Sequence, residues 1–246
     1  MKAQTQTSGG FRWRSREPSR LEGFSDAVFA FAVTLLVVSL EVPRTYGELV
    51  ETMGGFFGFG VCFALLVLIW YGQYTWFRRY ALDDTPTVVL TMVLLFVVLF
   101  FVYPLKFFTA FTVDWVRNGH VPTTTLADGK VVPVLASVAE FLQMAAIYSA
   151  GYAAVFAIFS LMYWHAWRRR DGLELTELER LETRYSVIES LLHVAVGLLA
   201  IVLAAVVHTT FAMFAFFLIA PLQIVHGQMR GRAKARLHEV APLSPP

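Results

Sequence analysis

The stretch Arg20-Leu21-Glu22-Gly23-Phe24-Ser25-Asp26-Ala27-Val28-Phe29-Ala30-Phe31-Ala32-Val33-Thr34-Leu35-Leu36-Val37-Val38 decides how this chain is read. Arg20, Glu22, Ser25 and Asp26 crowd its opening, and no charge follows from Ala27 to Val38. A carboxylate at the mouth of a membrane-spanning helix is costly, so such residues mark function or a demanding packing site. Ser25 or Asp26 can also satisfy free N–H groups at the helix start. Arg20 and Asp26 are not spaced three or four apart, so they do not face each other along one helix. Each is expected to bond another helix or another subunit.

Around this stretch the chain reads as an all-α integral membrane protein. Of its 246 residues 57% are hydrophobic and the mean hydropathy is +0.59, too apolar for a soluble domain of this length. A spanning helix needs roughly 20 apolar residues, and six stretches qualify. They run from about Phe24 to Val42 (stopped by Pro43), Phe56 to Phe77 and Pro86 to Phe108. The others run from about Ala136 to Trp167, Val187 to Val207 and Thr210 to Val225. Only His208-Thr209 separates the last two, which predicts a tight hairpin. The charged segment Gly172–Ser186 reads as a solvated helix or linker. The implied organisation is a basic tail over 1–22, a six-helix membrane domain over 23–227 and a basic, Pro-containing tail over 228–246.

Basic residues set the orientation. With the N-terminus inside, the inner segments hold Lys2, Arg12, Arg14, Arg16, Arg20, Arg78, Arg79, Arg168, Arg169, Arg170, Arg180, Arg184, Arg230, Arg232, Lys234 and Arg236. The outer segments keep only Arg44, Lys106, Arg117 and Lys130. Both termini are therefore expected to be cytoplasmic. The first twenty residues lack the apolar core of a signal peptide, so the first helix is expected to be retained. Both tails read as disordered. Beside spanning helices their arginines are expected to meet anionic lipid headgroups, not nucleic acid.

At about 100° per residue the first helix carries a ladder. With Phe31 as zero, Val38 and Val42 lie about 20° away, Ala27 and Leu35 about 40°, and Thr34 about 60°. Asp26 falls about 140° from that centre and faces neighbouring helices. Periodicity alone is also satisfied by a buried apolar helix with a polar cap.

The string R-x-x-x-F-S-D, here Arg20 to Asp26, ahead of an apolar helix resembles the signature of the lysosomal potassium channel family (transmembrane protein 175) and its bacterial homologues. The resemblance is concentrated in Arg20–Pro43. It implies a homotetramer of six-helix subunits whose first helices surround a central pore, with potassium as the permeant ion and no cofactor. In that family the constriction is a ring of apolar side chains five residues after the motif Asp, followed by a hydroxyl layer. Carried over, these positions are Phe31 and Thr34, with Leu35 on the same face and Val38 one layer on. Relatives carry Ile or Leu where this chain has Phe31, a larger ring that can plug the pore or offer its face to a cation. Arg20, Phe24, Ser25 and Asp26 would anchor the helix without touching the ion. Relatives tend to show Trp followed by His in the second helix. Here Trp70 is followed by Gln73, the candidate hydrogen-bonding partner of the motif. Thr91 stands where relatives often have Asn, and Pro104 matches a proline that ends their third helix. A one-repeat chain resembles bacterial members, which implies a bacterial plasma membrane.

Other polar residues point less far. Glu189 and His193 are four apart, which admits a proton relay or, more simply, an interhelical contact. Glu140 and Gln143 open the fourth span. His165, His208 and His226 sit near helix ends as interfacial residues. Cys62 is the single cysteine and reads as a small core residue. No zinc-binding motif is present, so a metalloenzyme has no support, and phosphate-binding loops are absent too. The competing readings are a secondary transporter, disfavoured by the lack of visible duplication, a membrane enzyme, and a non-conducting structural protein plugged by Phe31.

Overall fold

The computed structural model describes residues 7–8, 11–14, 17–38, 44–54, 56–126, 128–207 and 210–240. Two short strands come first, β1 (Thr7–Ser8) and β2 (Phe11–Arg12), followed by α1 (Arg20–Val38), α2 (Tyr46–Gly54), α3 (Phe56–Tyr80) and α4 (Thr85–Asn118). A small hairpin, β3 (Thr123–Thr125) and β4 (Val131–Pro133), leads to α5 (Val138–Arg168) and α6 (Glu177–Ala205). A 3-10 helix (Thr210–Leu218) and α7 (Ile219–Val240) complete the chain. Apart from two antiparallel hairpins the described structure is helical.

The stretches α3, α4, α5, α6 and Phe211–Leu237 are each long and apolar enough to cross a membrane, which makes this an integral membrane protein. The 19-residue α1, with Arg20, Glu22 and Asp26 near its start, is not among those five. Exposed aromatics such as Phe96, Phe100 and Phe217 cover the outside of the bundle, as a lipid-facing surface requires.

Several boundaries differ from the sequence reading. α4 continues past Phe108 to Asn118, where Gly119 at φ 73° adopts the left-handed conformation and its N–H donates to the Trp115 carbonyl at 2.8 Å. At its other end Asp84 caps the helix, accepting from the Thr87 N–H at 3.2 Å. The charged segment is no separate linker. From Glu177 it forms the first turns of α6, started by a capping box in which Thr176 and Glu179 satisfy each other's backbone N–H groups. The last apolar stretch opens as a 3-10 helix, and α7 then runs to Val240, so the division drawn after residue 227 falls inside a helix. Val42, Pro43, His208, Thr209 and residues 241–246 lie outside the described residues.

Small residues let α5 and α6 pack closely. A Cβ on Gly197 would meet Ala153 Cβ at 2.9 Å and the Ser149 carbonyl at 3.2 Å. The main core joins Phe29, Ala32 and Leu36 of α1 to Leu66, Trp76 and Tyr80 of α3, with Leu94 and Val98 of α4 and Ile158 and Met162 of α5. Charged contacts gather at one end of the bundle. Glu22 faces Arg78, Asp84 meets His165 and Arg169, Glu179 holds Arg12 and Arg14, and Glu182 holds Arg230 and Lys234.

Candidate functional site

The first helix has two unlike faces. Glu22, Ser25, Phe29, Ala32 and Leu36 are buried against α3 and α4, a spacing of three and four that follows one side of a helix. On the other side Arg20, Phe24, Ala27, Phe31 and Thr34 are exposed, Phe24 by 51% and Phe31 by 56%. Leu35 is half-buried at the edge of this stripe. Val38 closes the helix, and its side chain lies outside the described set.

Three polar rungs fix the buried side to α3. Arg78 Nε lies 3.6 Å from Glu22 Oε1, Ser25 Oγ donates to Gln73 Oε1 at 2.6 Å, and Trp70 Nε1 donates to Asp26 Oδ1 at 2.7 Å. Rising along α1 these rungs descend along α3, as an antiparallel pair demands. Ser25 and Gln73 are both buried, so the hydroxyl has no water to fall back on. The structure thus brings Ser25, Asp26, Trp70 and Gln73 together. It does not bring Arg20 to them: that guanidinium is exposed and makes no hydrogen bond or ion pair among the described residues. Ser19 Oγ accepts the Glu22 N–H at 3.1 Å, which satisfies one free donor at the helix start.

Thr34 donates its hydroxyl proton to the Ala30 carbonyl at 2.9 Å. Its oxygen is then left as an acceptor on the exposed stripe. Along that stripe the helix offers aromatic and apolar bulk at Phe24 and Phe31 and a hydroxyl oxygen one turn on.

A part of the site that sequence reasoning missed is the N-terminal segment. Arg12 and Arg14, read from the sequence as lipid contacts, have a partner within the protein. Both converge on the Glu179 carboxylate, Arg12 through its backbone N–H at 3.0 Å and Nη2 at 3.1 Å, and Arg14 through Nη2 at 2.8 Å. The hydrogen bond to Glu179 raises the Arg12 pKa further, against the effect of burial. Phe11 is buried against Tyr80, their rings meeting edge-on at 5.6 Å, and the Arg79 guanidinium covers it at 5.1 Å. The run Phe11-Arg12-Trp13-Arg14, two aromatic residues alternating with two arginines in an otherwise polar tail, was the signal that could have revealed this docking.

The remaining candidates act as interhelical contacts. His193 bonds Tyr152 and, at 2.7 Å, Gln223 from two other helices, with Phe156 stacked on its ring at 4.1 Å. Among the described residues His193 makes no hydrogen bond to Glu189. Glu140 accepts the Ala136 N–H at 2.7 Å near the start of α5. His165 bonds Asp84, and His226 is buried beside Tyr185. Cys62 is buried with Sγ 2.8 Å from Thr109 Oγ1. Among the described residues no three His, Cys, Asp or Glu side chains group to hold a metal ion.

Comparison with known proteins bears on what this helix is. Residues 20–102, which hold α1 and its α3 partners, match the family described as endosomal/lysosomal potassium channel TMEM175. A potassium channel of Marivirga tractuosa is 35% identical over 235 residues, covering 92% of this chain and 93% of its own length. A potassium channel of Streptomyces collinus is 27% identical over 158 residues, 62% of this chain and 66% of its own. The crystal structure of a variant of the potassium channel MtTMEM175, in complex with a nanobody–MBP fusion protein, superimposes with a TM-score of 0.78 at 34% identity, covering 92% of this chain and 99% of that one. This chain belongs to the endosomal/lysosomal potassium channel TMEM175 family, a family of channels and not of enzymes.

Proposed function

We propose that this protein is a potassium-permeable channel in which four copies of α1 surround a central pore. The observation that carries this reading is the two-faced first helix: one side bonded to α3 through Glu22, Ser25 and Asp26, the other open along Phe24, Ala27, Phe31 and Thr34. A helix that is anchored behind and unpartnered in front suits a position around an axis shared with other copies. One chain alone offers no enclosed path along this stripe.

In this reading α1 crosses the membrane as a sixth span, with both termini cytoplasmic in a bacterial plasma membrane. Phe31 forms the constriction, Thr34 the hydroxyl layer above it, and Leu35 and Val38 further apolar layers. Potassium passes down its gradient without a cofactor, and selectivity follows from the width at Phe31 and from hydroxyl oxygens that replace part of the hydration shell. Ser25 and Asp26 hold the helix to α3, Arg20 and Phe24 face the neighbouring copies, and none of the four contacts the ion. Exposed arginines that carry no ion pair among the described residues, Arg168 (stacked on Trp164 at 4.6 Å), Arg184, Arg232 and Arg236, meet anionic headgroups at the inner surface.

The test is potassium flux into liposomes holding the purified protein, comparing wild type with Phe31→Ile and Phe31→Ala. Flux whose rate or ion preference changes with residue 31 supports the reading. A silent wild type beside a conducting Phe31→Ile places the constriction correctly and makes Phe31 a plug. Silence in all three with an intact tetramer overturns conduction through α1.

A further inference from the structure

We propose that Glu179 is a positioning residue for the first helix, acting through the N-terminal strap Phe11–Arg14. The inference deepens the channel reading and rests on it for its functional half. α1 packs on α3 and α4, whereas α6 packs on α5, the 3-10 helix and α7, so the helix packing gives these two elements little direct contact. The strap bridges them. Glu179 sits in the first turn of α6 with its side chain fully buried. Oε1 accepts the Arg12 backbone N–H at 3.0 Å, Arg12 Nε at 3.1 Å and Arg14 Nη1 at 3.4 Å, while Oε2 accepts Arg12 Nη2 at 3.1 Å and Arg14 Nη2 at 2.8 Å.

The same strap seals the end of α3. The Arg14 N–H donates to the Arg78 carbonyl at 2.9 Å and its Nη1 to the Arg79 carbonyl at 3.1 Å, two acceptors that a helix C-terminus leaves without intrahelical partners. Arg14 Nη2 also reaches the Leu173 carbonyl at 3.2 Å, and Arg12 Nη2 the Glu174 carbonyl at 2.8 Å. Phe11 is pinned between Tyr80 and Arg79. Six residues after Arg14, α1 begins at Arg20. Where the strap is held therefore bears on where α1 enters the membrane, and a carboxylate on a distant helix holds the strap.

Glutamine serves a capping box as well as glutamate does. Glu179→Gln therefore keeps the start of α6 and removes the charge that gathers both arginines. The measurement is hydrogen exchange of the full-length protein in lipid nanodiscs, for wild type, Glu179→Gln and Arg12→Gln/Arg14→Gln. Glu182→Gln is the control: it breaks the neighbouring ion cluster on α6 and leaves the strap intact. Both strap variants are expected to speed exchange of the amides of residues 24–31 about tenfold, and the control is not. In liposomes both should also change potassium flux, with the flux of the control unchanged.

Exchange in 24–31 that stays at the wild-type rate in both strap variants overturns the proposal. So does equal acceleration of every helix in Glu179→Gln and Glu182→Gln alike. Faster exchange with unaltered flux overturns the functional half. A wild type without flux sinks the channel reading instead, and the exchange data still decide whether Glu179 positions α1.

Discussion

Gly197 of α6 lies so close to Ala153 of α5 that a Cβ on the glycine would come within 2.9 Å of the alanine's own. Neither neighbour can yield, since the second contact is the Ser149 backbone carbonyl at 3.2 Å. Gly197→Ala should therefore part the two helices and cost about 1–3 kcal/mol, an overpacking penalty. Thermal melting in detergent reads it directly. Adding Ala153→Gly should restore most of the loss, and a Gly197→Ala protein that melts like wild type would show that the helices give way freely.

Gln73→Leu should destabilise the protein by about 1–3 kcal/mol, because the buried Ser25 hydroxyl loses the oxygen that accepts its proton. The double variant Ser25→Ala/Gln73→Leu removes donor and acceptor together and should recover much of that loss. A double-mutant cycle on melting temperature isolates the bond, and additive losses would mean that it contributes little.

Asp84 predicts an acid limb in the stability profile. Burial by itself would raise its carboxyl, but hydrogen bonds from Thr87 and His165 outweigh burial and hold it below the ordinary 3.8. A carboxylate depressed on folding adds stability that is complete above its unfolded value and is lost as pH falls through the folded one. Melting temperature should thus fall as pH drops below about 4. Asparagine still caps α4, so Asp84→Asn should make that limb shallower while leaving the cap in place. An unchanged limb would remove Asp84 from its causes.

Glu182 is buried and held by two cations, Arg230 and Lys234 of α7. Arg230→Gln or Lys234→Gln alone leaves one partner. The double variant leaves a buried carboxylate unpaired and should cost about 3–5 kcal/mol. Protease sensitivity of α7 beyond Gly227 should rise with it. Equal effects of single and double variants would show that one cation suffices.

Hydropathy marked the cores of the long helices because a bilayer leaves the chain few options: about 20 apolar residues or none. Helix ends were harder to read. α4 was expected to stop near Phe108, after Pro104 and Lys106, yet the helix continues until Gly119 supplies the left-handed turn. The charged stretch before Ser186 read as a helix or a linker, and the capping box at Thr176 and Glu179 makes it the start of α6. Helical spacing turned Asp26 toward neighbouring helices, whereas Trp70 and Gln73 could be named as partners of the motif only through the family resemblance. Nothing local could place Arg12 on Glu179, a contact that spans 167 positions, and a run of arginines beside a membrane reads first as a lipid contact. The 3-10 segment over Thr210–Leu218 was equally hidden, because an apolar run of that composition also suits an α-helix.

At about 1.5 Å per residue the 34 residues of α4 measure about 51 Å, against a hydrocarbon layer of about 30 Å. Even a tilt of about 40°, the steep end of what spanning helices adopt, leaves about 9 Å too much along the membrane normal. Some of that rod must therefore leave the hydrocarbon layer, and the end that carries Asp114 and Arg117, followed by the β3–β4 hairpin, is the one whose charges suit the exit. The hairpin is therefore carried out of the hydrocarbon to the level of the headgroups, where a reagent that never enters the apolar layer could still grip the molecule.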